Sequence, residues 1–215
     1  MTTFSETIHA GAFLVSEEHG FSRDPIIVAS GAGVLPPGTV LGRRITGVAT
    51  AAAKAGGNTG NGALTVEVTT PVLANATIGA YAIRFTAATT FRVTDPKGAV
   101  LGDGVVGTTF ADRVKFNVAA GGVAFVTGDG FDISVTSIAT KYVPAPASAT
   151  DGSDVAMGVL FDRVDATSAD AAGVIVCRLA EVRAGDLTYD ASVSSAGLVA
   201  IKNAQLVAAG VGVRP

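Results

Sequence analysis

The sequence has no tryptophan, a single cysteine and only two histidines among its 215 residues. Because one cysteine cannot form an intrachain disulfide, the fold must be held together by packing alone. Fifteen basic and eighteen acidic side chains give a net charge of −3, and no basic cluster offers nucleic acid an electrostatic surface. The first residues lack the basic and apolar regions of a signal peptide, and no apolar run reaches the roughly 18 residues of a membrane span. These absences predict synthesis in the cytoplasm.

Charge is scarce as well. Charged residues make up 15% of the chain and hydrophobic residues 48%. A chain of this length has enough apolar residues for one large or two small cores, but few charges with which to cover its surface. We therefore expect other protein surfaces to cover part of it and the chain to assemble as an oligomer.

The most informative stretch begins at a polar turn, residues 150–153 (Thr-Asp-Gly-Ser). It leads directly into the apolar segment 155–160, in which Gly158 allows another backbone to come close. A second apolar segment, 173–179, follows after a polar link, and the two predict a pair of strands. The segment that most resembles them in composition is 38–42, far upstream. This resemblance predicts that it belongs to the same domain.

Residues 47–141 differ in composition and contain short segments in which apolar and polar residues alternate. Such alternation at a spacing of about 8–12 residues is typical of a small antiparallel β-sandwich. The small, glycine-rich residues 47–62 predict a flexible junction before the sandwich, and the proline-containing segment 140–146 predicts a stiff exit after it. The predicted core of the sandwich is Leu64, Val66, Tyr81, Ile83, Phe85, Phe91, Val93, Phe116, Phe125, Phe131 and Ile133.

The simplest division of the chain is one domain interrupted by another. Residues 25–46 and 142–215 form the host domain, and residues 47–141 are inserted. Insertion of a domain costs little stability at an exposed loop whose ends lie close together. The expected fold is mainly β: a small β-rich domain with one C-terminal helix, interrupted by an antiparallel β-sandwich.

The predicted helix has recognisable ends. Ser194 or Ser195 suits its N-cap, and Gly210 suits the position just after its last turn. A short extended tail, 211–215, follows. The residues expected along one side of the helix are Leu198, Ile201 and Gln205, with Val199, Leu206 and Val207 beside them.

Residues 1–24 are the most polar and least periodic part of the chain. Their scattered apolar residues offer too few contacts to hold the segment down. The Phe-Leu-Val sequence at 13–15 is nevertheless β-prone and suited to adding a strand to the edge of a partner's sheet. We interpret the segment either as an extended binding arm or as a frayed terminus.

Few residues of the chain suggest a catalytic or metal-binding site. His9 and His19 lie near Glu17 and Glu18, but a metal site or a general base needs a rigid set of ligands, which this segment does not offer. We interpret the two histidines as solvated polar residues. Cys177 lies in an apolar segment, and no histidine in the rigid part of the chain is available to activate it, so we interpret it as a small buried hydrophobic residue.

Other site motifs fail on spacing or context. Residues 31–33 and 102–104 resemble pieces of dinucleotide-binding turns, but neither leads into a helix, and no serine lies in a G-x-S-x-G context. Five aspartates raise the question of calcium, but their spacing does not match a calcium loop, and Asp-Gly pairs are first of all turn formers. We therefore predict no catalytic residue, no metal, no cofactor and no enzyme activity. The five aspartates are Asp151, Asp154, Asp162, Asp165 and Asp170.

Several segments of the host domain occur in an order that resembles a known family. They are residues 9–17 (HAGAFLVSE) with 22–24 (SRD), 35–42 (LPPGTVLG), 150–160 (TDGSDVAMGVL), and an ending of 174–182, a short helix and 211–213. In this they resemble the head decoration proteins of tailed bacteriophages, the lambda-type capsid-stabilising family. The resemblance covers residues 1–46 and 142–215.

The resemblance implies a non-enzymatic virion protein made in the host cytoplasm. Such a protein forms homotrimers on the outside of the expanded capsid, where it binds the major capsid protein and stabilises the shell against internal DNA pressure. Residues 1–24 would be the arm that pairs with the capsid protein and becomes ordered only on binding. The arm residues implied to make that contact are Phe4, Ile8, His9, Phe13, Leu14, Val15, Ser16 and Glu17.

The inserted residues 47–141 depart from the minimal family member. Their strands resemble the immunoglobulin-like domains that phage virion proteins display, which implies a weak contact with cell-surface glycans. One alternative hypothesis makes the chain an adhesion or carbohydrate-binding module, with the host domain as a mount. Another makes it a structural protein of the tail or baseplate.

Overall fold

The structure, a computed structural model, describes residues 9–215, which divide into two compact units. The host unit comprises the described part of Met1–Arg44 together with Thr140–Pro215, and the inserted unit comprises Ile45–Ala139. No helix within residues 9–215 is long and apolar enough to cross a membrane.

The host unit is mainly β, and its only α-helix within the described residues is the one predicted near the C-terminal end. Within the described residues the host unit also has one 3₁₀ turn, Ala184–Asp186. Its elements are β1 (Leu14–Glu17), β2 (Arg23–Val28), β3 (Gly33–Leu35), the first part of β4 (Val40–Ala53), the last part of β11 (Gly130–Pro144), β12 (Ala156–Leu160), β13 (Val164–Ala166), β14 (Ala171–Val176), β15 (Ala180–Arg183), α1 (Ala196–Ala209) and β16 (Val211–Arg214).

The main sheet of the host unit has the order β2–β14–β12–β4. Val159 of β12 lies opposite Val176 on one side and Val40 on the other. An added Cβ at Gly158 would lie 2.4 Å from the Val176 carbonyl oxygen, so only glycine fits there. The predicted close approach at Gly158 and the predicted pairing with the upstream segment 38–42 are both confirmed.

A smaller sheet, β1–β15–β16, holds both ends of the described chain. β15 pairs antiparallel with β1 and parallel with β16. Helix α1 precedes β16 and has the predicted caps: the Ser195 hydroxyl accepts a hydrogen bond from the Leu198 N–H, and Gly210 is left-handed at φ 95°. Its buried residues are Lys202 and Leu206.

The inserted unit consists of two sheets, with strand orders β11–β6–β7–β8 and β5–β10–β9. Alternating residues of both sheets bury their side chains in one common core. Besides parts of β4 and β11, its strands are β5 (Ala63–Val66), β6 (Gly79–Phe85), β7 (Thr90–Thr94), β8 (Val100–Val105), β9 (Thr109–Ala111) and β10 (Lys115–Ala119).

The predicted core of the inserted unit is confirmed residue by residue. Nine of the eleven residues named from the alternation are buried, and Leu64 and Val66 pack half-buried against them. Aromatic rings make up its centre: Phe85 stacks on Phe125 with ring centroids 4.0 Å apart, and Phe91 meets Phe116 at 5.8 Å.

The predicted flexible junction at residues 47–62 is wrong in its first half. Residues 47–53 continue β4, and the boundary between the two units lies inside that strand. An added Cβ at Gly47 would lie 2.5 Å from the Ser137 carbonyl oxygen, so this glycine serves close strand packing. The turn-rich part begins at Lys54 and belongs to the inserted unit.

Candidate functional site

The N-terminal segment is anchored by Phe13, whose side chain is 0% exposed. It lies in the same buried cluster as Val159 and Val182 of the host unit. The Phe13 carbonyl accepts a 2.8 Å hydrogen bond from the Arg183 N–H, and the Gly11 N–H donates to the Phe161 carbonyl at 3.0 Å. The burial of one large aromatic side chain therefore fixes the start of β1.

This arrangement corrects the prediction that residues 1–24 form one extended arm that becomes ordered only on binding. Residues 9–24 are folded onto the host unit, and the β-prone segment adds its strand to this chain's own β15. Of the eight predicted contact residues, Phe4 and Ile8 lie outside the described residues. Their sequence neighbour His9 lines a cleft of about 510 Å³ together with Pro36 and Pro37.

The remaining predicted contact residues face in different directions. Leu14 is half-buried, Val15 is 50% exposed, and the exposed Ser16 donates a hydrogen bond to Glu181. Glu17 is half-buried, because it turns towards Ser22 and Arg23 within its own segment. The structure thus brings Val15 and Ser16 to the surface and leaves Phe13 inside.

Glu17, one of the implied contact residues of the arm, is held by a local network. Its carboxylate accepts a 2.6 Å hydrogen bond from the Ser22 hydroxyl and a 2.9 Å bond from Arg23 Nε, and Arg23 also makes an ion pair with it. The Arg23 hydrogen bond, against the opposing effect of burial, lowers the pKa of Glu17 below its ordinary value. Arg23 in turn lies over the Phe161 ring at 3.7 Å.

An exposed apolar group surrounds the end of β1. Phe21 is 64% exposed and Leu179 is 58% exposed. The Leu179 carbonyl accepts a hydrogen bond from the Glu18 N–H at 2.9 Å, which places it beside the strand. Leu179 also has a positive φ of 48°, a backbone strain that is uncommon for leucine. We call these two exposed side chains, together with the exposed Val15, the β1 patch.

Helix α1 presents a second uncharged surface. Its one charged residue, Lys202, is buried, and its ammonium group donates a hydrogen bond to the Asp154 carbonyl. Burial lowers the pKa of Lys202, while the charges of Asp154 and Asp190 oppose that shift. The outward residues are small or apolar and form what we call the helix face: Gly197, Ala200, Ile201, Ala204, Val207 and Ala208.

The aspartates considered for calcium form turns and ion pairs. Asp151 Oδ1 accepts hydrogen bonds from the backbone and hydroxyl of Ser153, and Asp165 does the same for Thr167. Asp170 pairs with Lys141 at 2.6 Å. Across residues 9–215, no group of three or more His, Cys, Asp or Glu side chains is arranged to hold a metal ion.

Cys177 is half-buried and hydrogen-bonded, not simply a hydrophobic residue. Its thiol donates to Asp24 at 3.4 Å, and Arg178 bridges the same carboxylate. Burial, followed by the Asp24 hydrogen bond and charge, raises the pKa of the thiol to about 11. The reactive thiolate is therefore scarce at neutral pH.

The burial of two carboxylates in the inserted unit was not predicted from the sequence. Asp129 accepts hydrogen bonds from the N–H groups of Thr59, Gly60 and Val126 at 2.9–3.0 Å. The Gly60 bond and then the Thr59 bond lower its pKa. Asp95 caps its own turn and pairs with Arg113 at 2.6 Å. Both roles are structural, because every bond joins the carboxylate to its own unit.

Comparison with known families identifies the family of this chain. The family of bacteriophage lambda head decoration protein D matches residues 3–211, which is nearly the whole chain. The chain belongs to this family. Head decoration proteins are structural and non-enzymatic, lie on the outside of the phage capsid and stabilise it. The predicted family, the mainly β fold and the absence of enzyme activity are thereby confirmed.

Other comparisons add little to the head decoration assignment. Crystal structures of FlgL from Xanthomonas campestris in two space groups are 29% and 27% identical over 47% of this chain, with TM-scores of 0.33 and 0.32. The match spans a third of the FlgL chain (33%). No curated protein matches the sequence.

Proposed function

We propose that this head decoration protein binds the expanded capsid as a homotrimer, and that residues 1–8 and the β1 patch contact the major capsid protein. The observation that carries the proposal is the position of β1. Within the described residues it is an edge strand, with β15 on one side only. Val15 on β1, Phe21 after it and Leu179 before β15 are all exposed. An open edge with apolar neighbours suits the addition of a strand from another protein.

The helix face supports the trimeric part of the proposal. It is a surface without charge on a protein that has few charges, and Ile201 and Val207 are more than half exposed on it. Apolar area of this kind favours contact with another copy of the chain. Three capsid contacts in one trimer then add by avidity, so that modest individual contacts clamp the shell firmly.

The capsid contact is tested by sedimentation with expanded heads that lack decoration protein. We expect deletion of residues 2–8 and the Phe21→Ser substitution each to weaken binding, because each removes part of the proposed contact while Phe13 keeps β1 in place. A deletion that extended to residue 20 would remove Phe13 and unfold the sheet. Undiminished binding by both variants would refute this contact.

The trimer is tested separately by light scattering on the isolated protein. Ile201→Glu places a charge in the helix face and should convert trimers to monomers. Val68→Glu places the same charge at a 91% exposed position of the inserted unit and should leave the oligomer unchanged. A trimer that survives Ile201→Glu would place the subunit contact elsewhere.

A second candidate function, adhesion through the inserted unit, is favoured by one feature of its surface. Asn117 lies opposite Thr65 on one side and Thr109 on the other, so the three form a row on the outer face of the β5–β10–β9 sheet. Hydroxyl and amide groups in a row suit a weak contact with cell-surface glycans. Binding of the whole protein to host cells that is lost in an Asn117→Ala variant, with head binding kept, would support this role.

A further inference from the structure

A cleft of the host unit lies where the described chain begins. It has a volume of about 510 Å³, and its lining residues come from three segments, 9–10, 34–37 and 162–163. Clefts of about 300–1,000 Å³ are large enough to bury a small ligand, and therefore a large side chain with its neighbours.

The walls of the cleft are held in place by the host unit itself. The Gly11 N–H donates to the Phe161 carbonyl at 3.0 Å, which fixes the wall that contains residues 9 and 10. β3 pairs with β13, so that Leu35 lies opposite Val164. The rings of the two prolines at 36–37 also fix the backbone φ there. The cleft is therefore formed before anything binds in it.

The lining combines exposed apolar surface with charge. Val34 is 48% exposed, because β3 turns the next residue, Leu35, inward. Asp162 and Arg163 are both exposed. The Asp162 carboxylate already accepts a 2.6 Å hydrogen bond from the Arg163 N–H, whereas the Arg163 guanidinium offers a positive charge to a ligand. The cleft therefore suits a segment that carries an apolar side chain and a carboxylate.

Such a segment is joined directly to the cleft. His9 is one of the lining residues, so residues 1–8 continue from its wall. They contain the apolar Phe4 and Ile8 and a single charged side chain, Glu6. Phe4 lies five residues before His9, a length of chain that spans at most about 17 Å. Because a short tether gives an effective concentration in the millimolar range, this segment is favoured over a free partner of the same chemistry.

We propose that residues 1–8 occupy this cleft while the protein is off the capsid. Phe4 then packs against Val34, and the Glu6 carboxylate pairs with the Arg163 guanidinium. The inference rests on the proposed function, in which the same residues contact the major capsid protein, and it adds a regulation of that contact. One segment cannot occupy both places, so the apparent affinity for the capsid is reduced by the fraction of protein whose segment is in the cleft.

The absence of tryptophan from the chain allows a direct test. Phe4→Trp introduces a single tryptophan, whose fluorescence moves to a shorter wavelength when its ring leaves water for an apolar surface. The full-length variant should emit at a shorter wavelength than a synthetic peptide of residues 1–8 with the same substitution. Equal wavelengths for the protein and the peptide would overturn the inference.

A substitution in the cleft wall locates the site of binding. In the Phe4→Trp protein, Val34→Glu should return the emission to the wavelength of the peptide. In the otherwise wild-type chain it should raise the affinity for expanded, undecorated heads by about 2- to 10-fold, because the segment is released. Val155→Glu is the matched control, since Val155 is 42% exposed in the same unit and is not a lining residue, and it should change neither quantity. A short-wavelength emission that persists in Val34→Glu would place the segment elsewhere and overturn the inference.

The ion pair is tested by exchange of its charges. In the Phe4→Trp protein, Arg163→Glu reverses an exposed charge and should weaken the shift to shorter wavelength, and a further Glu6→Lys substitution should restore it. This pair of variants tests the same cleft without a change to β3. A shift that is the same in all three proteins would exclude the pairing of Glu6 with Arg163.

Two outcomes separate this inference from its alternatives. In the Ile201→Glu background, which we expect to be monomeric, the shift should persist, because the segment and the cleft belong to one chain. Its loss there would mean that a neighbouring copy supplies the segment and would overturn the inference. If deletion of residues 2–8 left head binding undiminished while the shift was present, the capsid contact of these residues would be refuted, and their occupation of the cleft would stand without a regulatory role.

Discussion

Asp129 shows how much a single buried side chain contributes to the inserted unit. Its carboxylate gathers three backbone N–H groups from two loops that are about 70 residues apart in the chain. Aspartate suits this position because a carboxylate accepts several hydrogen bonds at once without donating any.

Replacement of Asp129 by alanine should lower the melting temperature of the inserted unit by about 5–10 °C, because three N–H groups lose their acceptor. Asp112→Ala is the matched control, since Asp112 is exposed in the same unit, and it should change the transition by less than about 2 °C. Calorimetry on the whole protein measures both. Equal transitions in the two variants would show that water satisfies the loops.

The lowered pKa of Asp129 also predicts a pH dependence. Its folded pKa lies below the unfolded value of about 3.9, so its contribution is complete above that value and is lost as the pH falls through the folded pKa. We expect the melting temperature of the inserted unit to fall more steeply from pH 5 to pH 2 in the wild type than in Asp129→Asn. Parallel pH profiles would contradict this assignment.

At the scale of elements, the main apolar anchor of β1 is Phe13, the residue just before it. The strand itself has two half-buried and two exposed residues, and its register with β15 is irregular between Leu14 and Ser16. Phe13 therefore supplies most of the apolar burial that keeps residues 9–24 on the host unit.

Phe13→Ala should reduce the free energy of unfolding of the host unit by about 3–5 kcal/mol, the usual cost of removing a fully buried phenylalanine. Phe21→Ala, at an exposed position of the same segment, should change it by less than about 0.5 kcal/mol. Denaturant titration measures both values. Similar values for the two variants would mean that the segment is not anchored by Phe13.

The two glycines at the ends of α1 should respond to alanine with opposite signs. Gly210 has φ 95°, so Gly210→Ala should destabilise the host unit by about 1 kcal/mol. Gly197 is in the first helical turn, and an added Cβ there would meet only the Ser195 hydroxyl, at 4.0 Å, so Gly197→Ala should stabilise by up to about 1 kcal/mol. Denaturant midpoints give both values, and a change of the same sign in both would contradict the described cap.

At the scale of the whole molecule, the two units divide the proposed tasks. The β1 patch and the helix face belong to the host unit, whereas the Thr65–Asn117–Thr109 row belongs to the inserted unit. Replacement of residues 45–139 by a short glycine linker should therefore keep head binding within about threefold in a sedimentation assay. Loss of head binding in a variant that still melts cooperatively would show that the inserted unit takes part in capsid contact.

The features that could be predicted from the sequence are those that a local pattern of residues encodes. The alternation from Tyr81 to Ile133 identified the inserted core because a two-residue period is visible in the letters. Gly158 predicted a close strand contact because a glycine inside an apolar strand segment marks a close backbone approach. The burial of Phe13 and the contacts of Asp129 depend on partners far away along the chain, and no short motif encodes them. The family resemblance, in turn, pointed to a wholly extended arm, whereas β15 provides a pairing site within the same chain.

The pairing of β15 with both β1 and β16 has a consequence for synthesis. The strands of the inserted unit are complete once residue 139 has left the ribosome, whereas the host unit waits for β16 at residues Val211–Arg214. At about 5–20 residues per second, the stretch from residue 139 to residue 214 takes roughly 4–15 s to synthesise. During that interval Phe13 and the rest of the early host strands are exposed in the cell, while the newly folded inserted unit acts as the soluble part of the growing chain.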